Sequence, residues 1–227
     1  MRSLKLLSLF GFFNIPKDLA FTSDTIERIV SSPRSEDSTE FLLMLFEKLK
    51  EKDANTAFHS VEVAYLSLWM ARKTLPSSQW FDVFLGGLLH DIGKLSFNFR
   101  LFNGERNLSL NELDLIKNHT IYGFEQIKDL TDSKIIKDMV LCHHESNDGT
   151  GYPFQLRGKE ISIYAKIARI SDVLSALTSP RYYRDEISIP VKEALTIMNQ
   201  QASCFDPTLF QEVNLVITKE TLTTTKY

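Results

Sequence analysis

The residues best suited to chemistry are five histidines and the acids beside them. The stretch HHESNDGTGYP, residues 143–153, places His143 and His144 side by side ahead of a glycine-rich turn closed by Tyr-Pro. Adjacent residues on a helix point about 100° apart, so these two imidazoles cannot easily reach the same spot. In LLHDIGK, His90 is followed directly by Asp91, with Lys94 three residues on; His59, His119 and Asp172 stand in helical patterns elsewhere. Imidazole nitrogens and carboxylate oxygens together suit Zn, Mn or Fe, and a structural zinc site is disfavoured without cysteine ligands. Five histidines with Asp91 and Asp172 are too many for one ion. They suit two ions sharing a bridging carboxylate. Adjacent histidines then serve a wide dinuclear centre from one helix end. Taken singly, each residue has a plainer reading: a core histidine, a buried capping aspartate, a pair favouring the negative end of a helix, a surface lysine. Counted together, their placement beside acids and helix ends favours the metal.

The elements that must position these groups are helices. Ser38 or Thr39 is expected to cap a helix through FLLMLFEKLKEK. In the next helix, Ala57, Val61, Ala64, Leu68, Ala71 and Leu75 form one apolar stripe, and His59, Val63, Leu66 and Met70 a second. A helix apolar on two sides is expected to be central, with His59 pointing inward. Residues 80–89 form another buried helix. SLNE, residues 109–112, is a capping box that opens a helix carrying His119. Residues 133–145 form a helix ending in the His-His pair, with Cys142 read as core. In the helix over 164–179, Ala165, Ala168, Asp172 and Ser175 make a nearly all-small face that lets a neighbour come close. Residues 190–201 and 206–216 form the closing helices. Convincing strands are absent, so the fold class is all-α.

A chain of 227 residues that is 43% apolar can build a large core and is not disordered. A net charge of -3 gives no footprint for a nucleic-acid polymer and no polybasic membrane patch. Two cysteines make no disulfide scaffold, and a reduced, cytoplasmic compartment is expected. No stretch is long enough to span a bilayer. The first residues, MRSLKLLSLFGFFNIPKDLA, are interrupted by Ser8 and Gly11, which favours a docking helix over a signal peptide. Residues 1–38 are therefore expected to be a small helical extension, packed on the bundle or mediating self-association, and 39–227 the main domain. The polar stretch SSPRSEDSTE reads as the linker between them.

The motifs, in order, resemble the HD-GYP family of metal-dependent phosphodiesterases within the HD phosphohydrolase superfamily. They are HSVEVA at His59, HDIGK at His90, HTIYG at His119, HHE followed by DGTGYP, ARISDVLSALTS around Asp172, PRYYR at 180–184 and FDP at 205–207. The resemblance implies an HD-type helical bundle with a binuclear or trinuclear site, commonly iron or manganese. It implies hydrolysis of cyclic di-GMP to pGpG and in some members onward to GMP. By carry-over, His59, His90, Asp91 and Asp172 hold one ion, and Asp91 bridges to a second held by His119, His143 and His144. Lys94 meets a phosphate oxygen. Lys166, Arg181, Tyr183 and Arg184 are the candidate substrate contacts, with solvated loop charge the plainer reading of the arginines.

Gly149, Gly151, Tyr152 and Pro153 form the GYP loop. It either fixes the chain after the ligand-bearing helix or docks a protein partner such as a GGDEF-type cyclase, and the two readings are compatible. Three positions depart from the family pattern: Ser175 replaces an aspartate, Lys166 an arginine, and Asn55 the glutamate that serves a third ion. Asn55 favours two ions over three. Alternatives to cyclic di-GMP hydrolysis are hydrolysis of another nucleotide, including a mixed cyclic dinucleotide, and a non-catalytic binding module.

Overall fold

The structure is a computed structural model that describes residues 36–98, 109–179 and 189–224. Most of the N-terminal segment, together with Arg181, Tyr183 and Arg184, lies outside the described residues. Helix α1, Glu36–Lys52, starts ahead of the expected cap, so the second half of the polar stretch read as a linker is helical. Leu42, Phe46 and Leu49 recur at helical spacing and are buried.

Helix α2, Ala54–Thr74, begins where Asp53 caps it by accepting from the Asn55 amide at 2.9 Å. Both expected stripes are largely buried, and α2 packs between α1, α3 (Trp80–Leu89) and α7 (Ile163–Thr178). In α3 every residue from Phe81 to Leu89 is buried, as a helix without a polar face requires. A short 3-10 turn, Ile92–Ser96, follows it.

The capping box at Ser109 and Glu112 is present and opens α4, Leu110–Lys117. That helix does not run on to carry His119. The Asn118 side-chain amide donates to the carbonyls of Asp114 and Leu115, and a new helix, α5, begins at His119 (His119–Ile127). Asparagine competes for helix carbonyls in this way, and the interruption re-aims the histidine that follows. Helix α6, Lys134–Cys142, also stops short of the expected end, because the chain turns at His143 with Glu145 N donating to Cys142 O. Helices α8, Val191–Gln200, and α9, Pro207–Thr224, complete the described fold.

Two apolar clusters hold these helices. One joins α1, α2, α3, α5 and α6 through Phe46, Leu49, Leu68, Leu88, Ile127 and Val140. The other joins α2, α3, α6, α7, α8 and α9 through Met70, Val83, Met139, Ile170, Met198 and Phe210. Helices α2, α3 and α6 belong to both, so the elements bearing most of the histidines are the most constrained. Among the described residues there is no strand, only an isolated bridge between Asp148 and Arg157. The fold is all-α, as expected.

Candidate metal centre

Five helices deliver the candidate ligands to one place. His59 lies in the second turn of α2, His90 ends α3, His119 starts α5, His143 ends α6 and Asp172 lies within α7. Asp91 and His144 each follow directly on a helix-ending histidine. Ring centroids run 5.2 Å from His59 to His90, 4.9 Å from His90 to His143, and 5.2 Å from His119 to His143. Two groups can be drawn whose donor atoms all lie within 4.8 Å of one another: Asp91, His119, His143 and His144, and His59, His90 and Asp91. Asp91 belongs to both. Asp172 borders them, with Oδ1 2.9 Å from His59 Nε2 and 3.9 Å from His90 Nε2, and Oδ2 3.7 Å from His144 Nδ1.

The approach of the turn after Asp91 to α5 depends on a glycine. A Cβ on Gly93 would fall 1.9 Å from the His119 carbonyl oxygen and 2.5 Å from the Gly123 amide. With hydrogen in that place, the turn after Asp91 lies directly on the first turn of α5, and His119 comes within reach of Asp91.

Main-chain hydrogen bonds settle the tautomers of three rings. His90 Nδ1 faces the Gly87 carbonyl at 2.8 Å, and His119 Nδ1 faces that of Ile116 at 2.8 Å. His143 Nδ1 faces the carbonyls of Met139 and Val140 at 3.1 and 3.0 Å. A carbonyl only accepts, so each Nδ1 carries the proton and each Nε2 presents a bare lone pair. Those lone pairs converge on one another and on carboxylate oxygens. His119 Nε2 stands 3.2 Å from His143 Nε2 and 3.2 Å from Asp91 Oδ1. His90 Nε2 and Asp91 Oδ1 are buried without a hydrogen-bond partner. Unshared pairs held this close repel, and buried polar atoms left unpaired are costly. A cation among them relieves both penalties. The residues therefore fit a divalent metal of the borderline class.

The electrostatics agree. Burial pushes the His119 pKa down to about 4 against the pull of Asp91, and that of His144 down to about 3 against Asp172. Burial and the neighbouring rings also depress His143. Burial works against charge on Asp91, yet Lys94, His90 and His119 hold its carboxyl well below the usual range. At neutral pH the centre thus offers neutral imidazoles at His119, His143 and His144 beside ionised carboxylates, the forms a metal needs; at His90 burial lowers the pKa, but Asp91 and Asp172 outweigh it and leave it raised. Lys94 Nζ donates to Asp91 Oδ2 at 2.5 Å from the edge of the site.

The GYP loop forms one wall. Tyr152 stacks on His144 with centroids 4.6 Å apart, and its amide donates to the His144 carbonyl at 3.2 Å. Gly149 has a φ of +81°, and the Tyr152–Pro153 bond is cis. Glu145 ties the loop back, its buried carboxylate accepting from the amides of Phe154 and Leu156 at 2.7 and 2.9 Å. This anchoring role was hidden in the sequence, where Glu145 reads only as the acid after two histidines. A second unforeseen group is Glu62 on α2, which accepts from Ser175 at 2.8 Å and also from Ser179. Burial raises its pKa, and those two hydroxyls and His59 oppose the rise. Lys166 is paired with Asp206 at 2.9 Å.

A family model described as HD domain matches residues 40–209. The chain is 34% identical over 196 residues to the cyclic di-GMP phosphodiesterase PA4108 of Pseudomonas aeruginosa, an alignment covering 86% of this chain and 46% of that one. It is 33% identical over 175 residues to 3'3'-cGAMP-specific phosphodiesterase 3 of Vibrio cholerae, covering 75% of this chain and 37% of the relative. The chain thus spans less than half the length of these two relatives. Among solved structures, Bd1817, an HDG"Y"P protein from Bdellovibrio bacteriovorus, superposes with a TM-score of 0.58 at 24% identity, over 71% of this chain and 52% of that chain. That likeness is one of fold.

Proposed function

The chain belongs to the HD domain family, and from that premise we propose that it is a metal-dependent phosphodiesterase that hydrolyses cyclic di-GMP to pGpG or GMP. The observation that carries the reading is the convergence of bare imidazole and carboxylate lone pairs into two groups sharing Asp91, with Lys94 beside them. His59, His90, Asp91 and Asp172 would hold one ion, and Asp91, His119, His143 and His144 a second, with iron or manganese suited to this nitrogen and oxygen set. Two such ions supply a nucleophile at neutral pH and neutralise charge on the attacking and leaving oxygens.

The chain's own residues do the rest. Helix ends orient the imidazoles through main-chain carbonyls. Asp91 serves both groups. The Lys94 ammonium, whose charged form is opposed by burial but upheld by Asp91, is placed to meet a phosphate oxygen as it gathers negative charge. Tyr152 holds His144 against the site. Lys166 can reach a ligand only by leaving Asp206, while Arg181, Tyr183 and Arg184 remain candidate contacts outside the described residues. Residues 39–227 would form the catalytic domain, and the outer face of the GYP loop a docking surface for a GGDEF-type cyclase. No described helix is long and apolar enough to cross a membrane.

The test is to incubate protein purified without air and loaded with Mn2+ with cyclic di-GMP, 3'3'-cGAMP and cyclic di-AMP, then resolve products by chromatography. Preferred conversion of cyclic di-GMP supports the proposal. Preference for 3'3'-cGAMP would place the chain with relatives of that specificity, and turnover of none would make it a binding module.

A further inference from the structure

We propose that Glu62 is a positioning residue for His59, acting through the Ser175 hydroxyl to set the tautomer and direction of that imidazole toward a divalent cation. The inference rests on the metal-centre reading above. Glu62 and His59 are three residues apart on α2 and so lie on one side of the helix. Ser175 and Ser179 are one turn apart at the end of α7. Ser175 Oγ stands 2.9 Å from His59 Nδ1 and 2.8 Å from Glu62 Oε2, and Ser179 donates to the same carboxylate oxygen. Ser175 donates to Glu62 Oε2, so its proton is committed there. The hydroxyl oxygen then has only lone pairs to offer His59, and Nδ1 must carry the ring proton. Nε2 is the nitrogen left for a cation: it faces Asp172 Oδ1 at 2.9 Å, where any proton shared with that carboxylate is displaced on metal binding, and it is grouped with His90 and Asp91.

His90, His119 and His143 reach the same tautomer through main-chain carbonyls. His59 reaches it through a side chain, and a hydroxyl is reversible. Ser175 is buried, so solvent does not fix its rotor. Without Glu62 it can donate instead to His59 Nδ1 or to a carbonyl of its own helix. The first option moves the ring proton to Nε2 and blocks that nitrogen as a ligand. Outer partners of this kind typically change metal affinity by about 10- to 100-fold.

The rival reading is that Glu62 merely ties α2 to α7. Titration of the full metal-free chain with Mn2+, read by calorimetry and by the electron paramagnetic resonance of free Mn2+, separates the two. Compared are the wild type, Glu62→Ala, Glu62→Gln and the double variant Glu62→Ala with Ser175→Asp, each with its circular dichroism and melting curve. Glu62→Ala is expected to weaken one class of Mn2+ sites by about 10-fold or more and leave the other class near wild type. Glu62→Gln should lose less, since its amide oxygen still accepts from Ser175. The double variant should recover most of the affinity, because an aspartate at 175 accepts the Nδ1 proton directly. Wild-type affinity in Glu62→Ala overturns the proposal, as does a loss that Ser175→Asp fails to restore in a natively folded protein. Should Glu62→Ala unfold, Ser175→Ala takes its place, and wild-type affinity in that folded variant overturns the proposal equally. A wild type that takes up no Mn2+ overturns the metal-centre reading, and this inference with it.

Discussion

Asp91 offers one carboxylate to both groups of donors while Lys94 pairs with it from the side. The two residues should fail differently. Asp91→Ala removes the only donor common to both groups, so metal analysis of the variant should find the centre largely empty and turnover gone. Two ions retained would contradict the shared role. Lys94→Ala should keep its ions and its melting temperature while kcat falls by about 10²- to 10³-fold, the usual cost of losing one charge-stabilising donor. A metal-free Lys94→Ala protein would show instead that the lysine holds the centre together. Asn55 bears on the number of ions. It is exposed in the first turn of α2, and Asp53, the nearby acid, is occupied in capping that helix through the Asn55 amide and the Thr56 hydroxyl. Asn55 carries no charge and Asp53 stands outside both groups of donors, so anomalous diffraction from protein grown without air should find two ions per chain, and three full sites would refute this.

At the scale of elements, the positions that matter are helix ends. His90, His119 and His143 all stand at helix termini, where the chain can turn an imidazole back onto its own carbonyls. Gly93 sets how closely two of those ends approach. Gly93→Ala would place a methyl group against the main chain of α5, with no flexible side chain to yield. The variant should fold with a lowered melting temperature, and metal analysis should show depleted binding through displacement of His119; full occupancy would show that α5 can shift without harm. The same ends mark what was legible in the sequence. Apolar periodicity reported α2, α3 and α7 well, because burial on both sides leaves a strong pattern. It carried the helix before His119 straight through Asn118 and the one before His143 as far as Glu145, because periodicity is blind to a side chain that takes over a carbonyl. The ligand candidates were legible from rare residue types beside acids. Glu62 was not, since a glutamate one turn from a histidine looks like solvated charge until α7 is laid against it.

For the molecule as a whole, the site lies where two apolar clusters share α2, α3 and α6, so the state of the imidazoles is coupled to global stability. The folded protein keeps His119 neutral down to a pKa of about 4, against 6.5 for the free side chain, and keeps His144 and His143 neutral as well. Below pH 6.5 the unfolded chain binds protons that the folded chain refuses, which favours unfolding. His90, whose pKa is raised, acts in the opposite sense, but it is one ring against three. The melting temperature of metal-free protein should therefore fall as pH drops from about 6.5 toward 4, and scanning calorimetry across that range would check it; a flat profile would mean the rings titrate normally. The carbonyl partners of His90, His119 and His143 have one more consequence. A peptide carbonyl has no codon of its own, and no missense change deletes it. Mutation can drift through the surroundings of these three rings without erasing what orients them. His59, tied instead through side chains at 175 and 62, and His144, stacked on Tyr152, depend on inherited spelling at other positions, so divergence between lineages can retune the centre through these two imidazoles.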